Sequence, residues 1–241
     1  SDFYKGKLKL KTSIDVRNKT PKIDLQQDFS QIDLGQLLLD ATESQDFTGT
    51  ANISSHITSF GNYQDDLIKN SNGKGKFLIT DGNIAKLEVL HNVRQAYALL
   101  HGQPAPTQKQ KENTSFTELK GSVTIKNGVV NNNDLFSKSP LLKLTGAGYA
   151  DLPKQYLDYS LKVLLLNSLQ IDKNNDSTDF RSQEIPYTIK GKFSELSQQA
   201  NIKNIVEQQA KAEANKQINK QLEKQLQGDK GKKIEEKIGK E

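Results

Sequence analysis

The sequence contains no cysteine, no methionine and no tryptophan. The first absence excludes disulfides, thiolate metal sites and a cysteine nucleophile, although it leaves the compartment open. Proline is scarce at 6 in 241 residues, and aromatic residues make up 7%. Apolar residues reach 34% on a count that includes tyrosine. Exchanging the 7 tyrosines for the 16 glycines gives roughly 38%, below the ~45–50% usual for soluble domains on that set. Such a chain has little material for a thick core, which favours a thin, extended architecture. No apolar run approaches the ~18 residues of a helical membrane span, and no signal peptide with an apolar centre is visible. Ser1-Asp2 leads straight into a strand pattern, so the expectation is a piece of a longer protein whose anchor lies upstream. The net charge of +5 is modest, with lysines spread among carboxylates, and nucleic-acid binding is not expected.

What is present is alternation. In "YKGKLKLKTSIDVR", Leu8, Leu10, Ile14 and Val16 share one face and Lys5, Lys7, Lys9 and Lys11 the other. That pattern is a half-buried antiparallel strand with a solvated lysine row that discourages edge pairing. "KIDLQQDFSQID" reads as a second strand, "LGQLLLDAT" as a short helix and "FTGTANISSHITSFG" as a strand with Phe47, Ala51, Ile53 and Ile57 on one side. "YQDDLIKNS" reads as a second short helix, and "GKGKFLITDGNIAKLEV" as a hairpin turning at Asp81-Gly82. Leu90, Val93, Tyr97 and Leu100 form one stripe of a helix over about 87–100. A loop over about 102–115 follows, then "FTELKGSVTIKNGVV", with Leu119, Val123 and Ile125 on one face and a tight turn at Asn127-Gly128.

Two longer strands flank an Asp-Leu-Pro turn. The first carries Leu142, Leu144, Gly146 and Gly148 on one parity, the second Leu157, Tyr159, Leu161, Val163 and Leu165. After a polar loop over about 167–184, "IPYTIKGKF" closes the series with Ile185, Tyr187, Ile189 and Phe193. The expected fold is α+β and mainly β, a strongly curled antiparallel sheet over residues 1–196 with a few short helices. A Lys/Gln-rich helical tail over 197–241 follows, disordered beyond Gly228. Its apolar residues, Ile202, Val206, Ala210, Ala214, Ile218, Leu222 and Leu226, recur every four positions. At 100° per residue that stripe winds around a straight helix instead of holding one face.

Nine or ten strands at ~4.8 Å make a sheet roughly 45 Å across, whereas a 14-residue helix is about 21 Å long. One helix cannot cover such a face, and a bare apolar face of that size is unstable in water. The sheet must curl onto itself or bind an apolar ligand. The candidate groove residues are Leu8, Leu10, Ile53, Val123, Leu144, Leu161, Val163 and Ile189.

No catalytic residues, metal ligands or cofactors are indicated. His56, His91 and His101 lack ligand spacing. "NGKGKF" shares only glycine and lysine with a phosphate loop and enters a strand, and "TGAGY" places its glycines inside one. Asp65-Asp66 and Glu235-Glu236 lie on polar helical stretches.

Taken in order, "FLITDGNIAKLEV", "FTELKGSVTIKNGVVNNNDL", "SPLLKLTGAGYADL", "LDYSLKV" and "IPYTIKGKFS" resemble the C-terminal region of AsmA-family proteins. "DFYKGKLKLKTSIDVRNKTPKIDLQQDFSQIDLGQLL" resembles the family's strand pair before its first short helix, and the likeness covers about residues 1–196. It implies a Gram-negative protein held by an N-terminal helix in the inner membrane, with its bulk in the periplasm. It also implies a role in outer-membrane assembly and lipid homeostasis, phospholipid acyl chains as ligand, and envelope-assembly proteins as possible partners. The competing readings are a lipid-shielding module, an assembly scaffold whose face is closed internally, and an enzyme acting on membrane or wall components. The enzyme is the least favoured, since the resemblance transfers no catalytic residue.

Overall fold

A computed structural model describes residues 2–85, 87–100, 104, 113–166, 169–170, 177–178, 184–203, 207, 210–211, 214–215 and 217–220. It divides into a unit over 1–201 and a second over 202–241. The first unit is built on one antiparallel sheet of eleven strands, added almost entirely in chain order. β1 (Asp2–Phe3), β2 (Gly6–Asp15) and β3 (Lys22–Asp33) lead to helix α1 (Leu34–Thr42). β4 (Phe47–Phe60), helix α2 (Gln64–Lys69), β5 (Asn72–Ile84) and helix α3 (Val89–Leu100) follow. Next come β6 (Thr114–Lys126), β7 (Val129–Lys138), β8 (Leu142–Asp151) and β9 (Tyr156–Leu165). A separate hairpin, β10 (Leu169–Gln170) with β11 (Ser177–Thr178), precedes β12 (Glu184–Lys192) and β13 (Glu195–Ala200). The sheet order β1 to β9, then β12 and β13, leaves β1 and β13 as edges. Among the described residues no helix is long and apolar enough to cross a membrane.

A meander of this kind puts alternate connections at opposite ends. One end holds α2 and the turns joining β2 to β3, β6 to β7, β8 to β9 and β12 to β13, tied together through the backbone. Gly61 N–H donates to Pro21 O (3.1 Å), Gly128 N–H to Ser71 O (3.0 Å), Leu152 N–H to Gly128 O (3.1 Å) and Phe193 N–H to Gln155 O (2.8 Å). The opposite end holds α1, α3 and the hairpin. α1 starts where Asp33 caps it, its carboxylate accepting from Gln36 N–H at 3.2 Å. It stops at Glu43, whose left-handed backbone (φ 56°) returns its N–H to Leu39 O.

Several expectations change. Asp81-Gly82 is not a hairpin turn, because β5 runs through it and stays paired with β4 and β6. Asp81 instead takes a positive φ of 51° inside the strand, beside the register shift between Thr48 and Thr50. This bulge re-phases the pleat. Buried positions on β6 therefore change from Leu119 to Phe116, and both reach one core with Leu34, Ala51 and Ile79. Gly82 must be glycine there, since a Cβ would lie 2.2 Å from Phe116 Cζ. Leu87 and Glu88 are not in a strand and lead into α3, whose buried stripe is Val89, Val93, Tyr97 and Ala98, with Leu90 only half-buried.

The sheet runs on through β13 at residues 195–200, a stretch otherwise assigned in part to the helical tail. Four of its six side chains are polar and β12 supplies all its pairing, so alternation gave no warning. The 167–184 segment contains the β10–β11 hairpin, while most of the 102–115 segment lies outside the described residues. In the second unit the described residues from Lys203 to Lys220 are helical and exposed, Ile218 among them. Val206, Leu222, Leu226 and everything beyond Lys220 lie outside the described residues.

Candidate functional site

Directly opposed residues of an antiparallel pair point to the same side of a sheet. Following register from strand to strand therefore tests whether the groove candidates share a face. Leu8 opposes Phe29, Phe29 opposes Ile53, and Ile53 opposes Phe77. One row along, Leu10, Gln27, Ser55, Gly75 and Val123 are opposed in turn. Leu144 opposes Val163, Val163 opposes Ile185, and Leu161 opposes Tyr187. Ile189 opposes Tyr159 on the same parity. The links through β7 carry this face onward, Leu119 to Ser137 and Ser137 to Leu144. All eight candidates lie on one face of the sheet.

That face is not uniform along the strands. Near α1, the buried cluster of Leu34, Ala51, Ile79, Phe116 and Leu119 is flanked by Ile53, Phe77 and Leu135. Near α3, Leu142, Leu144, Leu161, Val163, Leu165, Ile185 and Tyr187 are all at least 96% buried. A polar latch ties α3 to this part of the sheet. Asn92 Nδ2 donates to the Tyr187 hydroxyl at 2.6 Å, which donates to Gln198 Oε1 at 2.8 Å. Burial, opposed by the Asn92 hydrogen bond, pushes the Tyr187 phenol up to about 12.

Toward the tight-turn end the face opens. Leu10 is 59% exposed, Ile14 59% and Val16 69%, while Leu8, Ile53, Val123 and Ile189 are half-buried. The eight candidates thus divide. Leu144, Leu161 and Val163 belong to the closed core, and the other five line the open or half-open part.

A polar network interrupts the face at the β7 bulge between Asn132 and Leu135. The Tyr159 hydroxyl donates to Asn132 Oδ1, and Asn132 Nδ2 donates to Ser122 O and Asp134 Oδ1, each at 2.7 Å. Asp134 also accepts from the Ser122 N–H and hydroxyl at 2.7 Å. Those donors hold its carboxyl below the usual range. Burial and then the Asp134 charge push Tyr159 up to about 12. The carboxylate takes the place of the ladder bond lost at the bulge, so the group is structurally satisfied. Nothing in the alternation pattern marks these residues as partners, because a bulge brings together side chains of the wrong parity.

The surface also holds a depression of ≈ 590 Å³ lined by Gln27, Ser55, Gly75 and Val123 and by their strand neighbours, among them His56, Lys74 and Lys76. His56 lies 3.0 Å from Asp24 Oδ2 in a half-exposed pair. Among the described residues no three His, Asp or Glu side chains are grouped to hold a metal ion.

The AsmA family model matches residues 1–135 of this chain, more than half its length. The chain belongs to the AsmA family. Protein AsmA of Escherichia coli (strain K12) is 21% identical over 212 residues, covering 87% of this chain and 34% of that protein. The chain therefore spans about a third of the length of that AsmA relative. No solved structure matches it. The matched residues of the AsmA model extend from β1 through Leu135 in β7, the part that carries α1 and the open rows of the apolar face.

Proposed function

We propose that this chain is a non-enzymatic module of an envelope protein that shields phospholipid acyl chains and acts in outer-membrane biogenesis and lipid homeostasis. In this reading the eleven-stranded sheet is strongly curled, its apolar face lines a periplasmic groove, and an inner-membrane anchor lies outside this chain. The observation that carries the reading is the continuation of the apolar face beyond its covered end, where Leu10, Ile14 and Val16 are mostly exposed. An acyl chain laid there gains about 0.8 kcal/mol for each methylene removed from water. Ten methylenes would contribute roughly 8 kcal/mol before ordering costs. Membership of the AsmA family supports the envelope setting.

A second reading, an assembly scaffold without lipid, has its own support. Leu144, Leu161 and Val163 are 3%, 4% and 0% exposed, so this part of the face is closed internally. The two readings separate when lipids are extracted from purified protein into organic solvent and identified by mass spectrometry. Stoichiometric phospholipid is the expected result. A lipid-free protein that also takes up no added fluorescent phospholipid would leave the scaffold.

A further inference from the structure

The opposite face of the sheet carries a feature that the acyl-chain reading does not use. Register places two complete rows side by side across β2 to β6. One row is Lys9, Asp28, Ser54, Lys76 and Ser122, and the next is Lys11, Gln26, His56, Lys74 and Thr124. Every side chain in both rows is polar. The rows are about 7 Å apart and extend about 19 Å across the strands. Four lysines face one carboxylate, Asp28. Two other carboxylates lie beside the rows and both have partners: Asp24 in the following row is held to His56 at 3.0 Å, and Asp134 at the β7 bulge accepts from the Ser122 hydroxyl at 2.7 Å. All four lysines are exposed, and among the described residues none has an ion-pair partner.

The lysines farther along the same face are different. Lys120 pairs with Glu118 (2.6 Å), Lys162 with Glu184 (2.9 Å) and Lys190 with Asp158 (2.5 Å). Positive charge is thus neutralised on β6, β9 and β12 and left uncompensated on β2 and β5.

We propose that these two rows are a docking surface for an anionic lipid bilayer, with Lys9, Lys11, Lys74 and Lys76 meeting headgroup phosphates. Ammonium groups act as point-charge donors to phosphate oxygens, and the Ser54 and Thr124 hydroxyls add donors between them. Four cations spread over about 19 Å match an array of phosphates better than a single small anion. The one ring in either row, the His56 imidazole, is held by Asp24 at 3.0 Å, so there is no series of rings on which successive bases could stack, which disfavours single-stranded nucleic acid. The docking face lies opposite the acyl-chain face, so the two sites are independent.

The test is co-sedimentation with phosphatidylcholine vesicles, with and without phosphatidylglycerol, at low and high salt. The readout is the gain in binding that phosphatidylglycerol produces. Each lysine at such a surface is worth about fivefold in partitioning, so Lys74→Gln/Lys76→Gln should lose roughly 30-fold of that gain. Lys162→Gln/Lys190→Gln removes the same charge about 19–24 Å away, beyond the ~8–10 Å screening length, and should lose under about threefold. Equal melting temperatures would establish that both variants fold. Equal losses in the two variants would overturn the proposal by assigning binding to net charge alone. So would the absence of any phosphatidylglycerol-dependent gain, whether or not the protein then binds inorganic phosphate or an oligonucleotide. Lipid co-purified on the apolar face should be unchanged in both variants, which separates failure here from failure of the acyl-chain reading.

Discussion

Leu161 and Leu10 share a face of the sheet and one side-chain chemistry, and they differ in cover. Leu161 is 4% exposed and sits between Gly146 and Tyr187 in register, whereas Leu10 is 59% exposed on β2. Leu161→Ala removes buried methyl groups and leaves a cavity, at a cost of about 2–5 kcal/mol. Leu10 hides less than half of a side chain whose complete burial is worth about 1.5–3 kcal/mol, so Leu10→Ala should cost roughly 0.6–1.2 kcal/mol. For a unit of this size about 1 kcal/mol moves Tm by roughly 2–4 °C. A central value of ~3 kcal/mol for Leu161→Ala then predicts a fall of about 6–12 °C, against about 1–5 °C for Leu10→Ala. Glutamate widens the contrast. Leu161→Glu strands a carboxylate in the closed core and should prevent folding, while Leu10→Glu keeps its charge hydrated and should fold. Thermal melting by circular dichroism reads all four variants. Equal losses at the two positions would refute the division of the face into closed and open parts.

The latch on α3 predicts that Tyr187→Phe, which leaves Asn92 and Gln198 without their shared hydroxyl, costs about 1–3 kcal/mol. Both Tyr159 and Tyr187 have folded-state values pushed up to about 12, above the ordinary value near 10. The unfolded chain therefore releases these protons first, and stability should be complete below pH ~10 and fall between about 10 and 12. Alkaline melts should show a shallower fall for Tyr187→Phe than for wild type. Asp33→Ala removes the α1 cap and the Lys5 ion pair and should cost about 0.5–2 kcal/mol, with Asp33→Ser recovering much of the loss. The Lys5 and Gln36 hydrogen bonds hold the Asp33 carboxyl below its ordinary value near 4. Its contribution is therefore present above pH ~4 and lost as pH falls below that, and Asp33→Ala should melt with less acid sensitivity than wild type.

Much of the fold is written in local pattern. β3 and α1 fall on the residues that period-two and helical spacing assign, and Asn127-Gly128 makes its turn with φ values of 49° and 75°. Register brings the eight groove candidates to one face because each alternates correctly within its own strand. The bulge at Asp81-Gly82 was not legible. Asp-Gly favours positive φ equally in a hairpin turn and in a strand bulge, and only the partners on β4 and β6 decide between them. β13 was missed because "ELSQQA" is held by backbone pairing to β12 and has little apolar side chain to announce it. The division of the face into closed and open parts was not legible either. Alternation states which side a residue faces, not which stretch of the strand lies beside α1 or α3. Leu144 and Leu161 look like Leu8 and Leu10 in pattern, and differ in lying on the interior strands β8 and β9, whereas β2 has only the two-residue edge strand β1 beside it.

The central claim, that acyl chains lie on the open apolar rows, is tested most directly by photo-crosslinking. A photoreactive residue is placed singly at Leu10, Val123 or Ile189 on the apolar face, or at Ser160 or Lys162 on the opposite face, and adducts are identified by mass spectrometry. In purified protein without vesicles, the account predicts phospholipid adducts at Leu10, Val123 and Ile189, with none at Ser160 or Lys162. Adducts on both faces alike, or on neither, would contradict it.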